Sequence, residues 1–419
     1  MRILVMGGYG EVGYRTSKLL LSRTDAELVI AGRSGERARS AAAELAQTTR
    51  NSRVRGDSVD AFDREDVLSA FESVGLVVIC VPLAGLGDSL ARAAFEAGVD
   101  YIDINANRRK QAYLESVTAD IERRGLTFVS EAGLGPGVPS LLVRYAHEQL
   151  GTLETVNIGA IFRDSKISRG SAMDMLVELG ARHRVLEDGI WRTASLTDSN
   201  TMDFGGQHGE ERCHPFEFFE LVKLPVENMG IRNLGFYVAE FNPIADLLTL
   251  VWRMTGLYRS KLGLNLGAKL IVSSSRYTRP PFRTVIRANA WARDGNRLSI
   301  QVGHDDAYAG TAIPLAACVL QMLDADEKIR VGLHLMGHIL RTDRFLKDLR
   351  SMGMGVTMVR EEATRSAVPP GFDPGADTVR QGGKRQATWP IVQIAACEAD
   401  GDAPNGVDRY HLKAEGAPQ

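Results

Sequence analysis

The chain has 419 residues, of which 44% are hydrophobic and 24% charged, so it is long enough for two buried cores and has the composition of a soluble globular protein. Its formal net charge of -2, with 50 Lys and Arg against 52 Asp and Glu, lacks the basic excess that nucleic-acid binding requires. Two domains and no nucleic-acid partner are therefore expected.

The amino terminus predicts a buried strand rather than a targeting segment. Residues 3–6 are apolar, but the run is too short for a signal peptide and passes directly into a glycine-rich turn. The most apolar later stretch, residues 243–252, contains Asp246 and falls short of the ~18 residues of a membrane span, which leaves open an interfacial contact. These features predict no membrane span, and cysteines without paired spacing fit reduced thiols in a cytoplasmic protein.

The turn at residues 7–13 (GGYGEVG) follows the first strand directly and opens a helix at about residues 14–22. Gly8, Gly10 and Gly13 have the spacing G-x-G-x-x-G, which in this context predicts dinucleotide binding. Gly8 permits the tight turn, Gly10 allows close approach of a pyrophosphate, and Gly13 lets the helix pack near the strand. Backbone N–H groups at the helix start then face the anion. The expected cofactor contacts in this turn are Gly8, Tyr9, Gly10, Glu11, Val12 and Gly13.

The end of the second strand, residues 27–31, indicates which cofactor binds. NAD sites usually carry Asp or Glu roughly 20 residues after the glycines, where the carboxylate binds the ribose 2′-OH. This chain instead has Arg33 and Ser34, a cation and a hydroxyl suited to a 2′-phosphate. NADP is therefore the predicted cofactor. The alternative is that Arg33 only begins a solvated surface loop.

A strand at residues 76–81 leads toward the expected reaction centre. The run is apolar and β-branched, as is typical of a strand buried in a parallel sheet. Residues that follow such a strand commonly line the nicotinamide half of the crevice, unless the proline here merely ends the strand. The residues predicted for this wall are Val81, Pro82 and Leu83.

Polar residues follow the next two predicted strands. Asp103 and Asn105 emerge at the end of a strand at residues 99–104, at the sheet edge where ligands bind in open α/β folds. A sixth strand, residues 126–130, runs into a second glycine turn that begins with Glu131 and precedes a helix. We expect these polar residues to share one crevice.

Four segments together resemble the saccharopine dehydrogenase-like oxidoreductases: residues 7–13 (GGYGEVG), 31–33 (AGR), 97–103 (AGVDYID) and 131–137 (EAGLGPG). The resemblance covers the first 150 residues. It implies an enzyme that makes or oxidises C–N bonds with NAD(P), similar to saccharopine reductase, carboxynorspermidine dehydrogenase and lysine 6-dehydrogenase. Family members often have Asp where Gly135 stands, so no role of that carboxylate carries over.

From about residue 155 short alternating segments predict an α+β domain. Residues 168–171 (SRGS) precede a helix and resemble the S-x-G-T turn that begins the substrate domain in many of these proteins. Residues 284–302 predict a hairpin with Asp294-Gly295 at its turn. The resemblance implies a mixed sheet here that covers the nicotinamide and pairs two subunits, hence a homodimer.

The predicted fold class is α/β: an N-terminal Rossmann doubly wound parallel sheet with a C-terminal α+β substrate and dimerisation domain. The predicted divisions are residues 1–150, residues 151–365 and a linker-like tail, residues 366–419. The tail begins rich in Pro and Gly and contains two segments, residues 390–397 and 409–412, that can pair as a hairpin.

No metal site or hydrolase motif is predicted. The cysteines are far apart and lack CxxC spacing, which indicates reduced thiols: Cys80, Cys213, Cys318 and Cys397. His334 and His338 have the i,i+4 spacing that can place two imidazoles on one helix face, but the segment lacks the Glu of H-E-x-x-H. The sequence contains no G-x-S-x-G motif.

Hydride transfer requires few side chains of the protein. They must hold the substrate carbon against the nicotinamide and donate or accept one proton. The predicted catalytic residues, each near a strand end or crevice loop, are Asp103, Glu131 and Lys166, with Tyr101 as an alternative. Arg169, or Lys166 in its other role, can bind a substrate carboxylate, and Asn105 is a further substrate-binding candidate.

The sequence thus predicts an NADP-dependent oxidoreductase that reduces an imine formed from an amine and a carbonyl compound, or catalyses the reverse oxidation. Two alternatives stay open. One is a reductase of an activated C=C or C=O bond, since fold does not determine function. The other is a non-catalytic NADP-binding protein.

Overall fold

The structure, a computed structural model, describes residues 1–363 except residues 84, 165–166, 180, 196–197, 207, 258–259, 279 and 325–328. The candidate Lys166 and the predicted tail hairpin, residues 390–397 with 409–412, lie outside the described residues. Two sheets organise the described part of the chain, one of seven strands and one of nine.

The first 150 residues alternate strands with helices. The strands are β1 (Arg2–Met6), β2 (Glu27–Gly32), β3 (Val54–Ser58), β4 (Leu76–Ile79), β5 (Asp100–Asp103) and β6 (Thr127–Ser130). The helices are α1 (Glu11–Arg23), α2 (Gly35–Thr49), α3 (Arg64–Glu72), α4 (Ser89–Ala97), α5 (Arg108–Ser116), α6 (Thr118–Arg123) and α7 (Val138–Leu150).

These six strands are parallel and lie in the order β3-β2-β1-β4-β5-β6. Both faces of the sheet are covered, because successive β1 residues enter opposite apolar clusters: Ile3 and Val5 enter one, Leu4 and Met6 the other. The order reverses direction between β1 and β4, which is the topological switch point where such sheets bind ligands. The predicted Rossmann architecture is confirmed.

The remaining elements build a mixed α+β arrangement. The strands are β7 (Leu153–Arg163), β8 (Arg184–Glu187), β9 (Ile190–Thr193), β10 (Asn200–Asp203), β11 (Glu210–Phe216), β12 (Asn233–Ala239), β13 (Arg283–Ala292), β14 (Arg297–His304), β15 (Gly332–Leu335) and β16 (Gly355–Glu361). The helices are α8 (Arg169–Leu179), α9 (Phe219–Val222), α10 (Val226–Met229), α11 (Pro243–Thr255), α12 (Lys261–Ser274), α13 (Ala307–Met322), α14 (Met336–Ile339) and α15 (Thr342–Ser351).

The second sheet runs β10-β11-β12-β7-β13-β14-β16, with β8 on β12 and β9 on β8. β7 is parallel to β12 and antiparallel to β13, so the sheet is mixed. The predicted hairpin is present as β13 and β14, and Gly295 in its turn has φ of +88°, a left-handed conformation that glycine adopts without steric cost.

The two sheets share one apolar core. The cluster that contains Ile3 and Val5 also contains Leu141 of α7 and Ile286 of β13. A salt bridge joins the same parts at the surface, since Arg15 Nη2 of α1 lies 2.7 Å from Asp306 Oδ2 at the start of α13. Helix α13, which follows the β13–β14 hairpin, is therefore packed directly against α1, the helix that follows the glycine turn.

Strand β15 completes the first sheet from far along the chain, where it pairs in parallel with β6. His334 therefore lies on a strand and His338 on α14, so the two side chains do not share a helix face. His334 Nε2 contacts Arg330 O at 2.6 Å, whereas His338 Nε2 contacts Glu220 O at 2.8 Å. The two imidazoles serve separate packing contacts.

Candidate active site

The glycine turn is held against the end of β2. Gly7 N and Gly8 N donate to Ala31 O at 2.8 and 3.2 Å, and Gly10 N donates to Gly7 O at 2.8 Å. Gly7 has φ of +79°, a left-handed conformation in which a residue with a side chain would be strained. The turn that joins β1 to α1 is thereby fixed by backbone hydrogen bonds.

The three motif glycines differ in what surrounds them. A Cβ on Gly13 would lie 2.4 Å from Gly7 O, and one on Gly8 would lie 2.8 Å from Val5 O, so the chain's own packing excludes side chains at both positions. A Cβ on Gly10 would meet, among the described atoms, only Gly7 O at 3.0 Å. Gly10 caps α1 and so leaves open space beside the helix amino terminus, where N–H groups and the helix dipole favour an anion. A pyrophosphate fits this cradle.

A second anion-binding group lies at the end of β2. Arg33 is exposed there, and Ser34 is the N-cap of α2, where its Oγ accepts from Arg37 N at 3.3 Å. Because the serine hydroxyl uses only an acceptor position in this bond, its hydrogen is free to be donated to a phosphate oxygen. The guanidinium groups of Arg33 and Arg37, the hydroxyl of Ser34 and the amino terminus of α2 together fit a 2′-phosphate.

Tyr9 links the two anion-binding groups. Its hydroxyl accepts from Ser34 N at 3.2 Å, and the Arg37 guanidinium lies 4.5 Å from the centre of its ring. Arg37 is thus held by a cation–π contact against the ring whose hydroxyl binds the backbone of Ser34. The sequence indicated Arg33 and Ser34, but the placement of Arg37 depends on this tertiary contact.

The end of the crevice that is predicted to hold the nicotinamide is formed by the tips of β4 and β5. Asn105 Nδ2 donates to Val81 O at 3.2 Å, which ties the two tips together. Pro82 is exposed, whereas the side chain of Leu83 is 2% exposed and packs in the apolar cluster beneath the sheet. Of the three residues predicted for this wall, Leu83 therefore contributes no side chain to the crevice surface.

The turn at residues 168–171 approaches this wall from the second domain. A Cβ on Gly170 would lie 2.4 Å from Pro82 Cγ, so the first turn of α8 packs directly on Pro82. Tyr308 of α13 supports the turn, because its hydroxyl accepts from Ser168 N at 3.0 Å. Arg169 points elsewhere and donates to Asn265 Oδ1 of α12 at 2.8 Å.

Beneath the crevice, Asp103 forms a buried ion pair with Lys110 of α5. Lys110 Nζ lies 2.5 Å from Asp103 Oδ1 and 2.5 Å from Asn105 O, and Asn105 N donates to Asp103 Oδ1 at 2.8 Å. Asp103 Oδ2 has no hydrogen-bond partner among the described residues. Lys110 is not among the residues that the sequence pattern predicted for the site. The available signal was its place in the first turn of a helix, where the dipole disfavours a cation unless a carboxylate pairs with it.

Tyr101, the alternative proton carrier, is fully buried on β5. Burial, and secondarily the charge of Asp103, raises the pKa of its phenol well above the usual value. The phenol therefore stays protonated at neutral pH.

Two buried carboxyl groups lie beside this ion pair. Glu131 has φ of +60°, a left-handed conformation that is uncommon for a non-glycine residue, and its Oε2 accepts from Glu220 N at 3.2 Å. Glu220 Oε1 accepts from Gly137 N at 2.8 Å, and Ser140 Oγ donates to its other oxygen. The turn contacts β5, since Ala132 N donates to Asp103 O at 2.7 Å.

Burial raises the pKa of both carboxyl groups, to about 8 for Glu131 and about 7 for Glu220. The charge of Glu220 raises the pKa of Glu131 further, while the nearby ammonium of Lys110 lowers it. For Glu131, desolvation changes the pKa more than the attraction of the Lys110 ammonium does. At neutral pH this pair therefore holds at least one proton next to the Asp103–Lys110 ion pair.

Comparison with known proteins gives one family and one fold. The family model of the saccharopine dehydrogenase NADP binding domain matches residues 3–129. The chain is similar in structure to apo histidine-tagged saccharopine dehydrogenase (L-Glu forming) from Saccharomyces cerevisiae, with a TM-score of 0.61, 13% identity and coverage of 85% of this chain and 99% of that chain. An oxidoreductase from Sinorhizobium meliloti matches with a TM-score of 0.37, 11% identity and coverage of 73% and 74%. No curated protein sequence matches the chain.

The parallel sheet, its switch point and the glycine turn define a dinucleotide-binding Rossmann domain. The match of residues 3–129 to the saccharopine dehydrogenase NADP binding domain makes NADP the cofactor of this domain, and the chain as a whole is similar in fold to saccharopine dehydrogenase. The resemblance that the four sequence segments indicated and the predicted cofactor are both confirmed. Among the described residues, no helix is both long and apolar enough to cross a membrane.

Proposed function

We propose that this protein reduces an imine, formed from an amine and a carbonyl compound, to a secondary or primary amine with NADPH, or catalyses the reverse oxidation. The observation that carries the proposal is the buried Asp103–Lys110 pair at the tip of β5, next to the wall formed by Val81 and Pro82. It supplies fixed charges beside the predicted nicotinamide position. NADPH, when bound, supplies the hydride that adds to the imine carbon.

The chain's own residues position the substrate in this proposal. Lys110 and Asp103 each hold the backbone of Asn105, so the amide side chain of Asn105 is presented at the crevice from a rigid support. Asn105 is partly exposed and can bind the substrate directly. Asp103 and Lys110 themselves are fully buried and therefore act through Asn105.

Reduction of C=N consumes one hydride at carbon and one proton at nitrogen. The Glu131 and Glu220 pair retains a proton at neutral pH and lies on the turn that contacts the tip of β5. We assign it the role of a proton reserve for the crevice. The first turn of α8, packed on Pro82, then limits the access of water to the reaction centre.

The family resemblance also supports a homodimeric, cytoplasmic enzyme with its cofactor domain in residues 1–150 and its substrate domain mainly in residues 151–365. Light scattering after gel filtration tests the oligomeric state. A monomer at micromolar concentration would remove this part of the proposal and leave the rest intact.

Consumption of NADPH against a panel of amines, amino acids and oxo acids tests the reaction. Turnover that requires both an amine and a carbonyl compound supports imine reduction. Turnover with an enone or a carbonyl compound alone would replace it by the second candidate, reduction of C=C or C=O. Tight NADPH binding without turnover on any substrate would leave a non-catalytic NADP-binding protein.

The variant Asn105→Ala should lower turnover about a hundredfold while NADPH binding stays within about twofold, because the amide lies at the substrate end of the crevice. Asn51→Ala, which removes an amide from the opposite region of the first domain, is the matched control and should leave turnover unchanged. Equal losses in the two variants would contradict the assignment of Asn105.

A further inference from the structure

Helices α11 and α12 carry an exposed apolar surface, here called the hairpin face. Four of its residues recur along one side of α11: Ile244, Leu247, Val251 and Met254. Three more recur along one side of α12: Leu262, Leu266 and Leu270. Met254 is 77% exposed and Leu262 is 84% exposed, so these side chains are almost entirely in solvent.

The hairpin face is a concentrated patch rather than scattered surface residues. Nine of the fourteen exposed large hydrophobic residues in the described part of the chain lie between residues 244 and 277. Single exposed hydrophobic residues are ordinary, whereas a contiguous apolar patch marks an interaction surface.

The inner sides of α11 and α12 are already packed against other residues. Trp252 of α11 and Ile271 of α12 are buried in a cluster with Leu176 of α8, and Trp252 Nε1 donates to Gly263 O at 3.1 Å. A Cβ on Gly267 would lie 2.7 Å from both Leu176 and Trp252, so the helices already lie as close as a glycine permits. The outward apolar residues are therefore not needed for the local core.

The same segment is cationic. Residues 243–277 contain five Lys and Arg residues and one acidic residue, Asp246, whereas the whole chain has a net charge of -2. Lys261 and Lys269 are exposed on α12, and Arg276 is exposed just after it. Asp246 is only partly exposed, and its Oδ1 accepts from Phe241 N at 3.2 Å.

We propose that the hairpin face docks on an anionic lipid membrane. Helices with apolar side chains on one side and Lys or Arg beside them lie in the membrane interface, with the apolar side buried among the headgroups and the cations paired with lipid phosphates or carboxylates. At 13 and 14 residues, α11 and α12 are too short to span a bilayer and suit an orientation parallel to its plane.

Charge selects this occupant over a second copy of the chain. A symmetric dimer through the hairpin face would place the cationic segment of one copy against the same segment of the other, and like charges repel. An anionic lipid membrane instead neutralises the cationic side chains of this segment. The docked hairpin would also lie close to the crevice, because it packs on α8, whose first turn contacts Pro82.

Sedimentation of the full chain with lipid vesicles tests the proposal without any enzymatic assay. The protein should bind vesicles of phosphatidylcholine and phosphatidylserine, bind vesicles of phosphatidylcholine alone much more weakly, and dissociate at high salt. Met254→Ser with Leu262→Ser should weaken binding about a hundredfold, and Lys261→Gln with Lys269→Gln about tenfold.

Phe62→Ser with Ile190→Ser is the matched control, because these residues are 65% and 71% exposed elsewhere on the surface. It should bind vesicles like the wild type, and retained NADPH binding in every variant shows an intact fold. Failure of the wild type to bind phosphatidylserine vesicles, or equal loss in the control, would overturn the proposal. A dimer that Met254→Ser with Leu262→Ser dissociates would assign the face to a second copy instead.

Discussion

The ammonium nitrogen of Lys110 lies 2.5 Å from the carboxylate of Asp103, and neither side chain is exposed to solvent. Each charge is out of water and depends on the other, since an unpaired buried charge is strongly unfavourable. The pair joins the tip of β5 to the first turn of α5 and fixes the Asn105 backbone between them. The crevice wall is therefore built on a buried electrostatic contact.

Removing one member of this pair should destabilise the protein. Lys110→Met leaves the Asp103 carboxylate buried without its cation, and the free energy of unfolding should fall by about 3–5 kcal/mol. The double variant Asp103→Asn with Lys110→Met removes both charges and should recover most of that loss. Urea unfolding of the wild type, Lys110→Met, Asp103→Asn and the double variant measures the coupling, and additive losses would show that the two charges do not stabilise each other.

Gly10→Val should abolish NADPH binding and leave the fold largely intact. The structure offers space for a side chain at residue 10, and that space is the expected position of the pyrophosphate. Fluorescence titration with NADPH measures the loss, and circular dichroism checks the fold.

Gly13→Val is the contrasting variant for this experiment. Its Cβ would meet Gly7 O at 2.4 Å, so it should lower the melting temperature as well as NADPH affinity. NADPH affinity at the wild-type level in Gly10→Val would contradict the placement of the cofactor.

Arg33→Asp should shift preference from NADP toward NAD. The substitution removes a cation from the 2′-phosphate position and places there a carboxylate that can accept from a ribose 2′-OH, so NADP binding should weaken by roughly 1.5–3 kcal/mol. Arg55→Asp makes the same charge change at an exposed position on β3 and should leave the ratio of the two dissociation constants unchanged. A wild type that prefers NAD would contradict the role of Arg33.

Stability should fall as the pH rises through neutrality. Glu131 and Glu220 have raised pKa values in the folded protein, so between roughly pH 4.3, the usual pKa of Glu, and pH 7–8 the folded state binds more protons than the unfolded state. Their stabilising contribution is complete below the unfolded pKa and is lost as the pH rises through the folded values.

Glu131→Gln preserves the acceptor for Glu220 N and removes one of the titrating groups. The slope of unfolding free energy against pH between 5 and 8 should therefore become shallower, by of order 2 kcal/mol over the interval. Urea unfolding at several pH values measures it. Identical slopes in the variant and the wild type would show that Glu131 ionises normally.

Local sequence pattern accounts for the cofactor prediction, which is confirmed. The glycine spacing and the residues after β2 act through backbone conformation and through side chains within one strand–turn–helix unit, so neighbours in sequence are neighbours in space. Asp103, Asn105 and Glu131 were predicted to share a crevice because the carboxyl ends of parallel strands meet at one edge, and hydrogen bonds join the tips that carry them.

Long-range packing decided the site contacts that the sequence did not predict, because residues distant in sequence meet only when the two sheets pack together. Glu220 reaches Glu131 from the second domain, β15 pairs with β6 across nearly half the chain, and Arg37 is held by the ring of Tyr9. The sequence by itself determined the Rossmann domain, its cofactor and the edge where chemistry is expected, since these follow from periodicity and local turn chemistry. Only the tertiary structure decided that the carboxyl groups of Glu131 and Glu220 are desolvated and have raised pKa values, because desolvation depends on all the atoms packed around a side chain.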